Sequence, residues 1–400
     1  MSRFLTALCK VLAGLMLVVL VLTTLFSSAW AARPDAVRVA APTPLPTAVP
    51  LTPEPTMAPV FTPTPSPTPE PTPTPTPSPT PEPVPIRYTI SAVGDCTLAS
   101  YPEIRGWAIA FESVVNGDWT YPFSHTASIF AGDDLTLANL ECSISDLTAY
   151  AGSTFSFLAK ADAVEILRQG SVEFVSMANN HAMDFGQEIY NDTAAILDSA
   201  GIGHSGDGEG YIYVTESGLN VGIFTTYNGH WPSADAVSAG VRRLLENGAE
   251  IVAVYAHWGN EASYYQNANQ VEVAHAAIDA GASIVFGHGP HRLQPYEEYN
   301  GGVIFYSLGN FVFGGNTAPG DMDSVIAQVV IERALDGTLS VVEARALPCS
   351  ISSRTDVNDY CPTLFEPGTD EYDRAMSKVD GSWTGANQII DYSFMHPDQG

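Results

Sequence analysis

Short apolar runs that end in ligand-type side chains constrain this chain more than any other feature. Residues 172–177, 251–255 and 283–286 each read as a buried parallel strand, and each leads into histidine. His181 follows Ala178-Asn179-Asn180, His257 precedes Trp258-Gly259, and His288 and His291 share Gly287-His288-Gly289-Pro290-His291. In open α/β sheets the ligand site lies in the crevice beyond the carboxyl ends of the strands. Side chains separated by more than a hundred residues can therefore meet there. Imidazoles, amides and carboxylates converging on one point make a divalent-metal site or an acid/base site.

Two further strand ends carry carboxylates. Residues 88–93 alternate apolar side chains and end at Gly94-Asp95, and residues 135–140 end at Asn139-Leu140-Glu141. Alternation puts Asn139 and Glu141 on one face, opposite Leu140. In the run from Asn179 to Gly186, Asp184 is close enough to His181 to accept a hydrogen bond and fix its tautomer, as carboxylates do for ligand or catalytic histidines. Trp258 offers a bulky wall and Glu261 another carboxylate. Asn310, ending the strand at 303–308, and Glu297 stand between site and scaffold. His275 lies inside an amphipathic helix, and His125, His204, His230 and His396 lack comparable context, so these five read as structural or solvated.

The folded part spans 87–366. β segments and helical patterns (161–168, 187–199, 234–247, 270–280) alternate first. Segments at 303–308, 325–331 and 339–346 then follow without helices. This order indicates an α/β fold in which a mostly parallel sheet packs on a more antiparallel one. The tail, 367–400, is acidic, bears aromatics and carries no assignment.

The first 86 residues have a different character. Arg3 and Lys10 precede an uncharged apolar run and Ala29-Trp30-Ala31, so 1–32 reads as a signal peptide or as an uncleaved signal anchor. Either places the remainder outside the membrane, at the cell surface or in the wall. Residues 33–86 are rich in proline and threonine and read as a disordered, extended tether reaching on the order of 140 Å. A formal charge of −28 excludes nucleic acid as a partner. It also leaves an anionic substrate dependent on bound cations. Four of the five cysteines lie beyond the leader. In an exported chain they suggest two disulfides, Cys349–Cys361 and Cys96–Cys142, with four buried thiols as the alternative.

These motifs, in order, resemble the CapA family of capsule or poly-γ-glutamate biosynthesis proteins, related to the calcineurin-like metallophosphoesterases. The resemblance spans residues 88–363. It implies a four-layer α/β/β/α sandwich and a site for one or two divalent ions (Mn, Zn, Mg or Fe). Asp95, Asn180, His257, His288 and His291 become ligand candidates. His181, oriented by Asp184, becomes the general acid or oxyanion stabiliser, and Glu141 stands where a bridging aspartate would. Asn139, Asn179, Trp258, Glu261, Glu297 and Asn310 would line or support the site. Asp95-Cys96-Thr97 stands where phosphoesterases usually carry Asp-x-His, which keeps a single-ion site as open as a pair. Two functions follow from the resemblance. One is a metal-dependent hydrolase or transferase acting on an anionic polymer or cell-wall substrate. The other is a non-catalytic polymer-binding component of a capsule-synthesis complex.

Overall fold

The computed structural model describes residues 83–387, except 152, and the short strand Val37–Val39. The leader, the rest of the proline-rich stretch, Cys9, His396 and residues 388–400 lie outside the described residues. Among the described residues no helix is long and apolar enough to cross a membrane.

Two mixed sheets form an α/β fold. The first runs, in spatial order, Val37–Val39, Gly210–Val214, Asn220–Thr226, Ile251–His257, Ile284–His288, Gly302–Leu308 and Leu293–Tyr299. Its central pairs are parallel, and the Leu293–Tyr299 hairpin closes one edge antiparallel. The second runs Thr363–Leu364, Leu339–Ser350, Asp323–Arg333, Ile86–Thr97, Leu135–Leu140, Phe174–Ser176 and Gly203–Ser205. It is antiparallel on one side of Ile86–Thr97 and parallel on the other.

Continuous apolar runs, rather than alternation, are what strands buried on both faces require. Tyr88, Ile90, Leu135 and Phe174 from one sheet share a cluster with Ile223, Ala253, Tyr255 and Phe286 from the other. Val252, Val254 and Val285 instead pack with Val237, Val241 and Val273 of the helices Ala234–Glu246 and Ala268–Asp279. Ala138 and Val175 pack with Ile166 and Leu197 of Val164–Gln169 and Gly186–Ala200. Asn267 and Gln270 form a reciprocal cap at the start of Ala268–Asp279. Gly201, in the left-handed region, ends Gly186–Ala200.

In the tail, Asp370–Val379 forms a helix whose Ala375 and Val379 join the inter-sheet cluster. Arg374 forms two hydrogen bonds to Asp323 (2.9 and 2.6 Å), and Lys378 donates to both Asp321 and Asp323 (2.7 Å each).

The two expected disulfides are not present. Cys96, Cys142, Cys349 and Cys361 are free and buried. Cys96, Cys142 and Cys349 belong to the cluster beneath Val164–Gln169 and Gly186–Ala200, acting as small hydrophobes. Cys142 Sγ accepts from Leu98 N (3.4 Å), and Cys361 Sγ lies 3.3 Å from Ser124 Oγ. Burial pushes the Cys142 and Cys349 thiols up to about 12, which suppresses the reactive thiolate.

Candidate metal centre

Strand register brings the polar residues together. Asp95 pairs with Asn139 on one side and Asn310 on the other, and His257 pairs with His288 in the facing sheet. The backbone around Asp95 is drawn tight by a hydrogen bond from its N–H to the Gly309 carbonyl (3.0 Å). A Cβ on Gly94 would stand 1.9 Å from that same oxygen, so only glycine permits the approach.

Asp95 and His257 are fully buried and Glu141 is 1% exposed. Asn139 Nδ2 donates to Asp95 Oδ1 (2.8 Å) and lies 3.2 Å from His257 Nδ1. Asn179 holds Asn139 in turn, donating to its Oδ1 (3.0 Å) and to the Leu140 carbonyl (2.9 Å). His291 Nδ1 is 3.0 Å from Asp95 Oδ2 and 2.8 Å from Asn310 Oδ1, while its Nε2 is 3.8 Å from Glu141 Oε1. Asp95, Glu141 and His291 each offer one ligand atom, all within 4.8 Å of one another.

The remaining atoms test whether a cation fits. Both Glu141 oxygens, His257 Nε2, both His288 ring nitrogens and Asn180 Oδ1 are buried without a hydrogen-bond partner. Buried polar atoms left unsatisfied are costly. So many around one crevice match the donor set of a divalent ion, in which carboxylates suit Mg or Mn and imidazoles suit Zn or Fe.

Electrostatics reflect the crowding. Burial alone would raise the Asp95 carboxyl, but the hydrogen bond and charge of His291, with His288 and His257, hold it below the usual carboxylate range. Burial, then repulsion from Asp95, pushes Glu141 well above its ordinary value. Burial lowers His257, and lowers His288 to about 4. Burial would also lower His291, yet Glu141 and Asp95 outweigh it and raise the ring to about 10.

His181 flanks this cluster. Its Nδ1 lies 2.8 Å from Asp184 Oδ2, its ring packs edge-on against Phe157 (4.8 Å), and Asn179 Oδ1 accepts from its backbone N–H (3.0 Å). Glu261 is exposed at the rim and contributes to the field at Glu141 and His291.

Two expected members lie elsewhere. Trp258 points away from the site, because alternation along its strand sends His257 inward. Its Nε1 donates to the Tyr306 carbonyl (2.9 Å) within the helix-side cluster. Glu297 pairs with His275 Nε2 (3.0 Å) and accepts from Tyr306 Oη (2.6 Å) on the hairpin strand. One further ring approaches the cluster. His230, which the sequence left as structural or solvated, stands with its ring 5.4 Å from that of His257. Its position just past the strand Asn220–Thr226 was the signal available.

Residues 89–315 match the family described as "Bacterial capsule synthesis protein PGA_cap". The chain belongs to this family. Every residue of the centre, from Asp95 to Asn310, falls inside the PGA_cap match. The chain is 34% identical over 245 residues to the "PGA biosynthesis protein CapA" of Bacillus subtilis (strain 168), covering 56% of this chain and 62% of that protein. It is 28% identical over 255 residues to the "Capsule biosynthesis protein CapA" of Bacillus anthracis (57% and 60%). It is also 28% identical over 229 residues to a "Probable polyglutamine synthesis accessory protein" of Mycobacterium tuberculosis (49% and 60%). The chain thus spans about three fifths of the length of these curated relatives.

Proposed function

We propose that this chain works on the outer face of the cell membrane or in the wall, in the synthesis or export of an anionic polymer such as capsule or poly-γ-glutamate. It acts there as a divalent-cation-dependent hydrolase or transferase on a four-layer α/β/β/α scaffold of metallophosphoesterase type, within a capsule-synthesis complex. The relatives' names support the polymer. The chemistry rests on one observation: buried, unpartnered ligand atoms on Glu141, His257 and His288 gather beside Asp95 and His291.

Asp95, Glu141, His291, His257, His288 and Asn180 would between them hold one or two such cations. A bound divalent ion supplies Lewis-acid polarisation of the bond under attack and offsets the charge of an anionic substrate. The chain's own groups supply the rest. Asp184 fixes the His181 ring so that Nε2 faces outward as the proton donor to a leaving group. Asn139 and Asn179 lock the carboxylate and imidazole orientations, so little reorganisation accompanies the reaction.

The test is metal content and turnover of the purified chain, wild type beside His288→Ala/His291→Ala and His181→Ala. The expected result is stoichiometric metal in wild type, none in the double variant, and turnover of a phosphoester, amide or polymer linkage reduced about 10²–10⁴-fold in His181→Ala with metal retained. Absence of metal from wild type after incubation with Mn²⁺, Zn²⁺ or Mg²⁺ overturns the reading. Unchanged polymer retention in His181→Ala, with no turnover in wild type, would favour a binding component.

A further inference from the structure

The sequence Thr226-Tyr227-Asn228-Gly229-His230 carries a turn that ordinary side chains resist. Asn228, Gly229 and His230 all have left-handed backbone, with φ of 41°, 64° and 71°. For the non-glycine residues Asn228 and His230 such conformations cost on the order of 1 kcal/mol or more each and persist where surrounding structure enforces them. Here the enforcement is visible. The backbone N–H groups of Tyr227 and Asn228 donate to the two carboxylate oxygens of Asp207 (2.8 and 3.1 Å). Asn228 Nδ2 donates to the Trp231 carbonyl (3.0 Å), and Gly259 N donates to the His230 carbonyl (3.2 Å). The last bond ties the turn to the exit of the His257 strand.

What the turn presents is an imidazole whose Nδ1 is buried and has no hydrogen-bond partner. Its ring centre lies 5.4 Å from that of His257, and His257 lies 5.7 Å from His288. Imidazoles sharing one ion at about 2.1 Å per metal–nitrogen bond have ring centres about 5 Å apart. His257 Nε2 and both His288 nitrogens are likewise unpartnered. The group Asp95, Glu141 and His291 uses none of these three rings.

We infer that His230 is a metal ligand, completing with His257 and His288 a three-imidazole position beside the carboxylate-rich Asp95–Glu141–His291 group. This rests on the metal-dependent reading above and adds a preference to it. Three imidazoles favour Zn²⁺ or another transition metal over Mg²⁺ or Ca²⁺, whereas two carboxylates and one imidazole tolerate Mn²⁺ or Mg²⁺. The strained turn fixes the third ring in place before any ion arrives.

The test is titration of the metal-stripped full chain with Zn²⁺, Mn²⁺ or Co²⁺ alone, following heat, stoichiometry and the Co²⁺ visible spectrum. Wild type, His230→Ala, His230→Asn and His291→Ala are compared, asparagine being included because it tolerates the left-handed backbone. Expected is a tenfold or greater loss of Zn²⁺ affinity and an altered Co²⁺ spectrum in both His230 variants, with Mn²⁺ binding and metal-free unfolding close to wild type. His291→Ala should show the converse, losing Mn²⁺ first. Wild-type Zn²⁺ affinity and Co²⁺ spectrum in both His230 variants overturn the inference while leaving the metal-dependent reading intact. A wild type that takes up no ion overturns both.

Discussion

At the scale of single residues, the centre is a set of groups that folding alone would not choose. Glu141 is buried beside Asp95 with both oxygens unpartnered. A carboxylate in that setting destabilises the metal-free chain. Glu141→Gln keeps the shape and cannot ionise, so at pH above the raised Glu141 value, where the wild-type group is charged, the metal-free melting temperature should rise by about 3–6 °C, the equivalent of about 1–2 kcal/mol. The same variant should lose the stabilisation that a divalent ion gives wild type, about 2.7 kcal/mol at a hundredfold excess over Kd. Thermal melts with and without Mn²⁺ check both halves. A variant that melts lower than wild type without metal would mean that Glu141 is a structural hydrogen-bonding group. Asp184→Asn belongs at the same scale. It leaves the 2.8 Å contact to His181 possible but changes which ring nitrogen carries the proton, so turnover should fall while metal content stays.

At the scale of elements, strand exits position the chemistry, and the closest approach lies between Ile86–Thr97 and the Gly309-Asn310 turn. Gly94→Ala would place a methyl 1.9 Å from the Gly309 oxygen. The strands must part, at a cost of about 3 kcal/mol, and Asp95 moves with them. Urea unfolding and metal affinity should therefore worsen together. Retention of either alone would separate the scaffold from the site. Much of this was legible in the sequence, because runs such as 172–177 and 251–255 are apolar on both faces and are followed at once by polar residues. The short strands Gly203–Ser205 and Asn310–Phe313 were not, since three or four residues show no period. The hairpin strand Leu293–Tyr299 is masked by Pro295, Glu297 and Glu298, which its edge position tolerates. Trp258 adjoins His257 in sequence but not at the site, because alternation sends neighbours to opposite faces. His230 was passed over because its turn has no apolar run of its own. Nothing in the cysteine spacing distinguishes a disulfide pair from two thiols that fill one hydrophobic cluster.

At the scale of the whole molecule, an acidic chain with a formal charge of −28 folds with several carboxyls out of water. Glu173 sits where its strand begins, away from the polar exits. Its Oε2 accepts from Thr136 N (2.8 Å), and burial, reinforced by Asp133, raises it to about 7. Asp133 is raised to about 6, again by burial first. A carboxyl whose folded value exceeds its unfolded one favours folding while protonated. That contribution is complete below about 4.5 and is lost as pH climbs through 7. Wild-type stability should accordingly decline between pH 4.5 and 8, with Glu173 accounting for up to about 3 kcal/mol of the fall. Glu173→Gln retains an oxygen for Thr136 N and has no proton to lose. Its urea midpoint should match wild type near pH 4.5 and exceed it at pH 8. Parallel declines in the two proteins would instead assign the pH dependence to general repulsion among the surface carboxylates, which sodium chloride would relieve and a single buried glutamine would not.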